Sequence, residues 1–287
     1  MSSNKQRRQE AMAALEKELK ARDRKDKARP LGVVVSALAI IVLIAGGIWF
    51  AATRDSSDED NQAVATSAAE SSTEEAPADV EPLARSLESP LPDTVSCEYK
   101  KTGDAAKDVT VPNGENVSTK GKVEITLDTS AGPIPLTLDR SVAPCTVNSF
   151  EHLAKEKYFD GTQCHRLTTS GIHVLQCGDP SGTGSGGPGY SFADEYPVGD
   201  VNKPQVNYER GTLAMANAGP GTNGSQFFLN YQDSPLQPNY TYFGTIADEG
   251  LETLDAIAAE GLDSAKTSRP GDGAPKQEVT ITKATVK

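Results

Sequence analysis

The stretch Met215–Tyr231, which reads MANAGPGTNGSQFFLNY, decides what fold this chain is expected to adopt. Its two ends have the composition of β-strands, and a polar, glycine-rich loop lies between them. Ala216 and Ala218 are small where a strand would normally carry bulk, and small side chains let another backbone come close. Asn217 and Gln226 carry amides, which both donate and accept hydrogen bonds. The stretch therefore indicates a surface that holds an extended peptide.

Hydrophobic periodicity predicts a mainly β domain around this stretch. Alternating apolar and polar residues over 123–138 predict two strands joined by a hairpin turn. Apolar spacing over 146–157 predicts a helix with Thr146 as its N-cap, and 251–259 predicts a second helix. Further short strands are predicted at 165–167, 174–176, 212–215, 227–229, 241–246 and 279–286. This pattern suits a closed antiparallel barrel with helical caps.

A family resemblance supports this fold. The run AMANAGPGTNGSQFF, at residues 214–228, resembles the signature of the cyclophilin-type peptidyl-prolyl isomerases. The resemblance covers roughly residues 120–287. It implies the closed eight-stranded antiparallel barrel of that family, with a helix closing each end.

A second stretch, Tyr158–Asp179, resembles the family segment in which a His-Arg pair leads through a turn to a strand carrying a glutamine. On this resemblance Arg166 matches the family's catalytic arginine, and Gln176 matches its active-site glutamine. The resemblance implies that further residues line the substrate groove, namely His165, His173, Val174, Ala216, Asn217, Gln226, Phe228, Leu236 and Tyr240.

These residue types suit rotation about a peptide bond that precedes proline. The barrier of about 18–20 kcal/mol arises from amide resonance, so no bond is broken and neither a nucleophile nor a cofactor is needed. A donor aimed at the prolyl nitrogen stabilises a pyramidal nitrogen that appears only in the twisted state. Arg166 suits that role because it stays charged and holds its donors in a rigid plane. Phe228 and Leu236 can seat the proline ring, and Asn217 can pair with the substrate backbone.

The chain departs from the family pattern at several positions. The turn after Arg166 is longer than usual, and the best match to the family's Phe and Met wall is His173 and Val174, so one wall is expected to be polar. The family's pocket tryptophan falls near Pro235, and a frequent family histidine falls near Tyr240. We therefore expect weak cyclosporin binding.

The alternative to catalysis is a groove that only binds proline-containing segments, as a chaperone-like module at the cell envelope.

Charge is distributed unevenly along the chain. The net charge is −12 over 287 residues, yet residues 1–30 contain ten basic and five acidic side chains. The remainder is therefore strongly acidic. Because an acidic surface repels phosphates, no nucleic-acid partner is expected.

One apolar stretch predicts a membrane anchor. Residues 31–52 carry no charge and are long enough to cross about 30 Å of hydrocarbon as a helix. The positive-inside rule places residues 1–30 in the cytoplasm and the rest outside, although a cleaved signal peptide is an alternative. The composition of residues 53–92 predicts a disordered acidic linker. Residues 93–119 are expected to form a leader to the domain at 120–287. This single-pass arrangement, which is compatible with a bacterial membrane, would present the domain to proline-containing segments of exported proteins and assist their folding.

The four cysteines lie on the side predicted to be outside the cytoplasm, where an even number indicates disulfides. Several pairings are possible. We favour Cys164 with Cys177, on strands expected to be neighbours, which leaves Cys97 with Cys145. Four free, buried thiols are the alternative. With three histidines and no CxxC pair, the sequence predicts no metal site.

Overall fold

The computed structural model describes residues 80–197 and 204–287. The predicted cytoplasmic segment, the predicted membrane span at 31–52 and most of the predicted linker lie outside these residues. Among the residues that are described, no helix is long and apolar enough to cross a membrane.

The described residues form two α-helices and many short strands, as the sequence predicts. The helices are α1 (Pro144–Lys155) and α2 (Asp248–Glu260). The strands are β1 (Thr94–Val95), β2 (Lys100–Lys101), β3 (Val117–Ser118), β4 (Lys122–Thr129), β5 (Gly132–Asp139), β6 (Thr162–Gln163), β7 (Arg166–Thr168), β8 (Val174–Cys177), β9 (Tyr190–Ser191), β10 (Val206–Tyr208), β11 (Thr212–Met215), β12 (Phe227–Asn230), β13 (Ser234–Leu236), β14 (Tyr242–Ile246), β15 (Leu262–Arg269), β16 (Asp272–Pro275) and β17 (Thr280–Val286).

The largest sheet joins eleven strands in the order β15-β16-β7-β8-β12-β11-β14-β5-β4-β17-β6. It is not the closed eight-stranded barrel that was expected, because its end strands, β15 and β6, do not pair within the described residues. Only Cys164 and His165 separate β6 from β7, so the backbone runs from one end of the order directly into an interior strand. The β15–β16 hairpin then extends the sheet beyond β7.

The hairpin of β4 and β5 shows why these residues form a sheet. Ile125 lies opposite Leu136, and Leu127 lies opposite Ile134. All four side chains are buried, while residues between them on each strand are more exposed. Because successive side chains on a strand point to opposite faces, this alternation directs one face of the hairpin into the core.

Helix α1 is capped from a distant loop. Its N-cap residue, Ala143, offers no side-chain acceptor. Instead the carboxylate of Glu195 accepts hydrogen bonds from the backbone N–H groups of Cys145 (3.0 Å) and Thr146 (2.7 Å). Thr146, which was expected to be the N-cap, lies inside the first turn, and its hydroxyl donates to the same carboxylate (2.7 Å). The negative charge is favourable at this end of the helix.

Residues 80–119 pack against the domain. Leu83 is buried, and its N–H donates to the carbonyl of Asn207 at 2.9 Å. The ring of Tyr99 packs edge-on against that of Tyr190, with centroids 5.6 Å apart. The linker was predicted to run to residue 92, so ordered structure begins earlier than expected. The reason is that the apolar side chain of Leu83 packs into the hydrophobic core.

Both favoured disulfides are present. Cys97 is bonded to Cys145, which ties the leader to α1, and their Cα atoms are 5.4 Å apart. Cys164 is bonded to Cys177, which ties the segment between β6 and β7 to the end of β8. The chain therefore does not contain the four free thiols of the alternative interpretation.

Candidate active site

Three neighbouring strands place one row of side chains on the same face of the sheet. Arg166 on β7 lies directly opposite Gln176 on β8, and Gln176 lies opposite Phe228 on β12. Residues directly opposite one another in an antiparallel pair project to one face. Arg166 Nη1 donates to Gln176 Oε1 at 3.1 Å. The two residues predicted to be catalytic are therefore in direct contact.

Asp272 holds Arg166 from the other side. Arg166 Nε donates to Asp272 Oδ1 at 2.8 Å, and Arg166 Nη2 donates to Oδ2 at 2.9 Å. Arg269 also donates to Oδ2, from Nε (3.0 Å) and Nη2 (2.8 Å). Asp272 is only 8% exposed. Its hydrogen bond from Arg166 holds the pKa of the Asp272 carboxyl below its ordinary value, and the same bond raises the pKa of Arg166. Both groups therefore stay charged at neutral pH.

Gln176 is in turn held by a loop. Its Nε2 donates to Gln226 Oε1 at 2.9 Å. Gln226 Nε2 donates to the carbonyls of Gly184 and Gly186, each at 3.0 Å. Because Gln226 is anchored to backbone, it orients the Gln176 amide so that its oxygen faces Arg166. Gln226, expected to line the groove, lines a cavity together with Ala216 and Asn217 and also supports the row.

A cavity of about 170 Å³ opens beside this row. We call it the apolar cavity, because six of the nine residues that line it are aliphatic or aromatic. The Phe228 and Tyr240 rings meet edge-on, with centroids 5.6 Å apart. The apolar cavity is lined by Arg166, Ile172, Val174, Gln176, Ala216, Asn217, Phe228, Leu236 and Tyr240.

Asn217 presents its backbone rather than its side chain to the groove. Its Nδ2 donates to the Asn239 carbonyl at 2.8 Å, and its Oδ1 accepts from the Gly219 N–H at 3.2 Å. The backbone N–H and C=O of Asn217 make no hydrogen bond within residues 80–197 and 204–287. They are therefore available to an extended peptide, which pairs through backbone N–H and C=O groups in β-strand addition.

His173 lies outside the apolar cavity, contrary to expectation. Ile172 and Val174 line the cavity, and His173 between them points away, as strand alternation requires. The His173 ring packs edge-on against Tyr231, with centroids 5.8 Å apart, in a separate cavity that Arg210 also lines. The wall expected to be polar is therefore apolar.

His165 also lies outside the apolar cavity. It lines a separate cavity on the other side of Arg166. Neither of its ring nitrogens has a hydrogen-bond partner within the residues described here. Burial lowers the pKa of His165 below its ordinary value of 6.5. The ring is therefore neutral at physiological pH.

Sequence reasoning missed two residues of this site. Asp272 is separated from Arg166 by 106 residues and lies in a hairpin that no local pattern connects to the groove. Ile172 could have been found, since it stands two residues before Val174 and the spacing of a strand places both on one face.

Comparison with known proteins agrees with this geometry. A family model described as cyclophilin type peptidyl-prolyl cis-trans isomerase/CLD matches residues 122–286. A probable peptidyl-prolyl cis-trans isomerase B of Mycobacterium tuberculosis is 52% identical over 196 residues, which are 65% of this chain and 62% of that protein. The peptidyl-prolyl cis-trans isomerase A of the same organism is 38% identical over 174 residues, which are 54% of this chain and 90% of that protein.

A solved structure is also similar. It is a cyclophilin type peptidyl-prolyl cis-trans isomerase of Cryptosporidium parvum in the presence of the dipeptide Ala-Pro. It shows 32% identity and a TM-score of 0.47, over 57% of this chain and 98% of that one. The present chain spans less than two thirds of the length of the isomerase B relative that it matches.

The neutral, partly buried state of His165 predicts a pH dependence of stability. As the pH falls below about 6.5, the unfolded chain binds a proton at His165 before the folded protein does, so the free energy of unfolding should fall. The fall should level off below the folded-state pKa. In urea unfolding at pH values from about 7.5 to 5, His165→Gln should lose less stability than the wild type. Equal losses in the two proteins would contradict this account.

Proposed function

Because the chain belongs to the family of cyclophilin-type peptidyl-prolyl cis-trans isomerases, we propose that it catalyses the cis-trans isomerisation of peptide bonds that precede proline. One observation carries the proposal. The Arg166 guanidinium is fixed at the wall of the apolar cavity, where a proline ring would lie.

The substrate is held by three kinds of contact in this proposal. The proline ring enters the apolar cavity against Phe228 and Leu236. The peptide backbone pairs with the free N–H and C=O of Asn217. Arg166 then faces the bond that must rotate. Only the apolar ring is buried, so the peptide on either side of it stays extended along the groove.

Catalysis then rests on the donors that Arg166 retains. A guanidinium has five N–H groups. Asp272 occupies two of them and Gln176 occupies one, which leaves two within the described part of the chain. A donor directed at the prolyl nitrogen is stronger when that nitrogen is pyramidal, so it stabilises the twisted state over both planar states. Because the partners hold the guanidinium in place beforehand, little reorganisation is needed as the bond rotates.

The alternative of a non-catalytic binding module has less support than the sequence suggested. It depended on a polar wall at His173 and on the longer turn after Arg166. The wall is formed instead by Ile172 and Val174, and the turn leaves Arg166 paired with Gln176.

The expectation of weak cyclosporin binding stays part of the proposal. Pro235 lies in β13, opposite Asn207, where the family resemblance would place an indole. The single tryptophan of the chain, Trp49, lies outside the domain. If cyclosporin inhibits the isomerase at low concentrations, as a tightly bound inhibitor would, that result would contradict this expectation.

Replacing Arg166 tests the catalytic assignment. Arg166→Ala should lower kcat/KM on a short Ala-Pro-Phe type peptide by about a hundredfold, the cost of removing one preorganised donor. Affinity for the same peptide, measured by NMR titration, should change little because the apolar cavity is intact. Arg140→Ala is the matched control, since Arg140 pairs with Glu151 and does not line the cavity. A fully active Arg166→Ala protein would overturn the assignment.

Asp272 is expected to act as a positioning residue. Asp272→Asn removes the charge and one acceptor, so the guanidinium should lose its fixed direction and kcat should fall about tenfold with KM nearly unchanged. Arg269→Ala leaves both bonds between Asp272 and Arg166 in place and should retain most of the turnover number. If Asp272 only stabilises the fold, Asp272→Asn should lower the melting temperature and leave kcat of the folded protein unaltered. That result would refute the positioning role.

We further propose that the domain works outside the cytoplasm on exported proteins, anchored through residues 31–52. Two observations support this proposal: the uncharged span follows a basic segment, and two disulfides stabilise the domain. Protease added to intact cells should digest the domain, and deletion of residues 31–52 should release the protein from the membrane fraction. If the undeleted protein is instead released in a form shortened at its N-terminus, that result would favour a cleaved signal peptide. A protected domain with reduced cysteines would contradict the proposed compartment.

A further inference from the structure

A second cavity lies directly beside the apolar cavity. Its volume is about 710 Å³, and Arg166 and Gln176 form walls of both. We call it the basic cavity, because Lys266 and Arg269 line it together with Arg166. A peptide whose proline fills the apolar cavity therefore has neighbouring residues within reach of the basic cavity.

The charges around this cavity do not balance. Arg166, Lys266 and Arg269 are cationic, and Asp272 is the one carboxylate that lines the cavity within the described residues. Since burial keeps His165 neutral, the lining carries three cations and one anion, and Asp263 adds a second anion beside Lys266, at 3.8 Å. The chain as a whole is net −12, so the net charge of this cavity lining is opposite in sign to that of the chain. A local excess of one sign attracts ligands of the other sign.

The cationic groups remain open to solvent and to a ligand. The side chains of Lys266 and Arg269 are 69% and 72% exposed. Lys266 Nζ lies 3.8 Å from Asp263 Oδ2, longer than a hydrogen bond. Arg269 directs Nε and Nη2 to Asp272. Its Nη1 makes no hydrogen bond within residues 80–197 and 204–287, so it keeps donors for a second carboxylate.

We propose that the basic cavity is a subsite for a carboxylate side chain of the peptide whose proline occupies the apolar cavity. The inference rests on the proposed isomerase function and adds a substrate class, prolines with an aspartate or glutamate close by. Ammonium and guanidinium groups bind carboxylates through charge-assisted hydrogen bonds. Because the site is open, each ion pair contributes modestly and is weakened by salt.

Matched peptides test the subsite. Each contains one proline, and Glu, Gln or Lys is placed in turn at each of the three positions on either side. Isomerisation rates of the purified full-length protein should favour Glu over Gln by about two- to fivefold at one position. Raising the salt to about 0.5 M should reduce this preference, since the screening length becomes much shorter.

Substitution of Lys266 distinguishes charge from other effects. Lys266→Gln should reduce the Glu-to-Gln ratio toward one, and Lys266→Glu should favour the Lys peptide. Lys283→Gln is the matched control, because Lys283 is exposed on β17 and does not line the cavity. In that control the ratio should equal that of the wild type.

Failure of the subsite can be told apart from failure of the isomerase proposal. Equal turnover of Glu and Gln peptides at every position would overturn the subsite and leave the isomerase intact. If no peptide is turned over, the Glu-to-Gln ratio of dissociation constants replaces the ratio of rates. A binding ratio that stays at one, or that is unaffected by Lys266→Glu, would overturn the subsite in that case as well.

Discussion

The two hydrogen bonds from Arg166 to the carboxylate of Asp272 are the interaction on which the groove depends. Asp272 is nearly buried, and an unpaired charge there would be costly. Arg166 and Arg269 supply the compensating charge. Because a guanidinium is planar and rigid, fixing two nitrogens of Arg166 also fixes the direction of its remaining donors. The side chain that would act on the substrate is thereby set before any substrate binds.

Such preorganisation matters because the chemistry proposed for this site uses no reactive group. Rotation about a prolyl bond makes and breaks no covalent bond, so the protein can accelerate it only by binding the twisted state more tightly than the planar states. The site accordingly consists of unreactive groups held from several directions. Asp272 holds Arg166 on one side, Gln176 contacts it on the other, and Gln226 links Gln176 to the backbone of a loop. Each support comes from a different part of the chain.

Links between distant parts of the chain also stabilise the surroundings of the groove. The Cys164–Cys177 disulfide closes the strand pair that carries Arg166 and Gln176, and Cys97–Cys145 fastens the leader to α1. Leu83 adds an apolar contact from a segment whose composition resembles a disordered linker. The charges are also unevenly distributed, since the basic cavity lies beside the groove although the chain as a whole is acidic.

Local patterns in the sequence were sufficient for much of this description. The alternation over 123–138, the helical spacing after Thr146 and the run at 214–228 each lie within a short stretch, and the structure contains the hairpin, the helix and the strand pair that they predict. The contact between Arg166 and Gln176 could be anticipated for the same reason, since only a turn separates their strands.

Other features were decided only by the tertiary structure. Strand spacing groups Ile172 with Val174 and sets His173 apart, but which of the two faces meets the apolar cavity depends on the register of β8 against its neighbours, because a shift of one residue exchanges the faces. The open sheet and the position of Asp272 depend on where the β15–β16 hairpin docks. Periodicity and short motifs determine the type of local structure because they act between near neighbours. A partner 106 residues away is selected by the order of strands in the sheet, which no local pattern encodes.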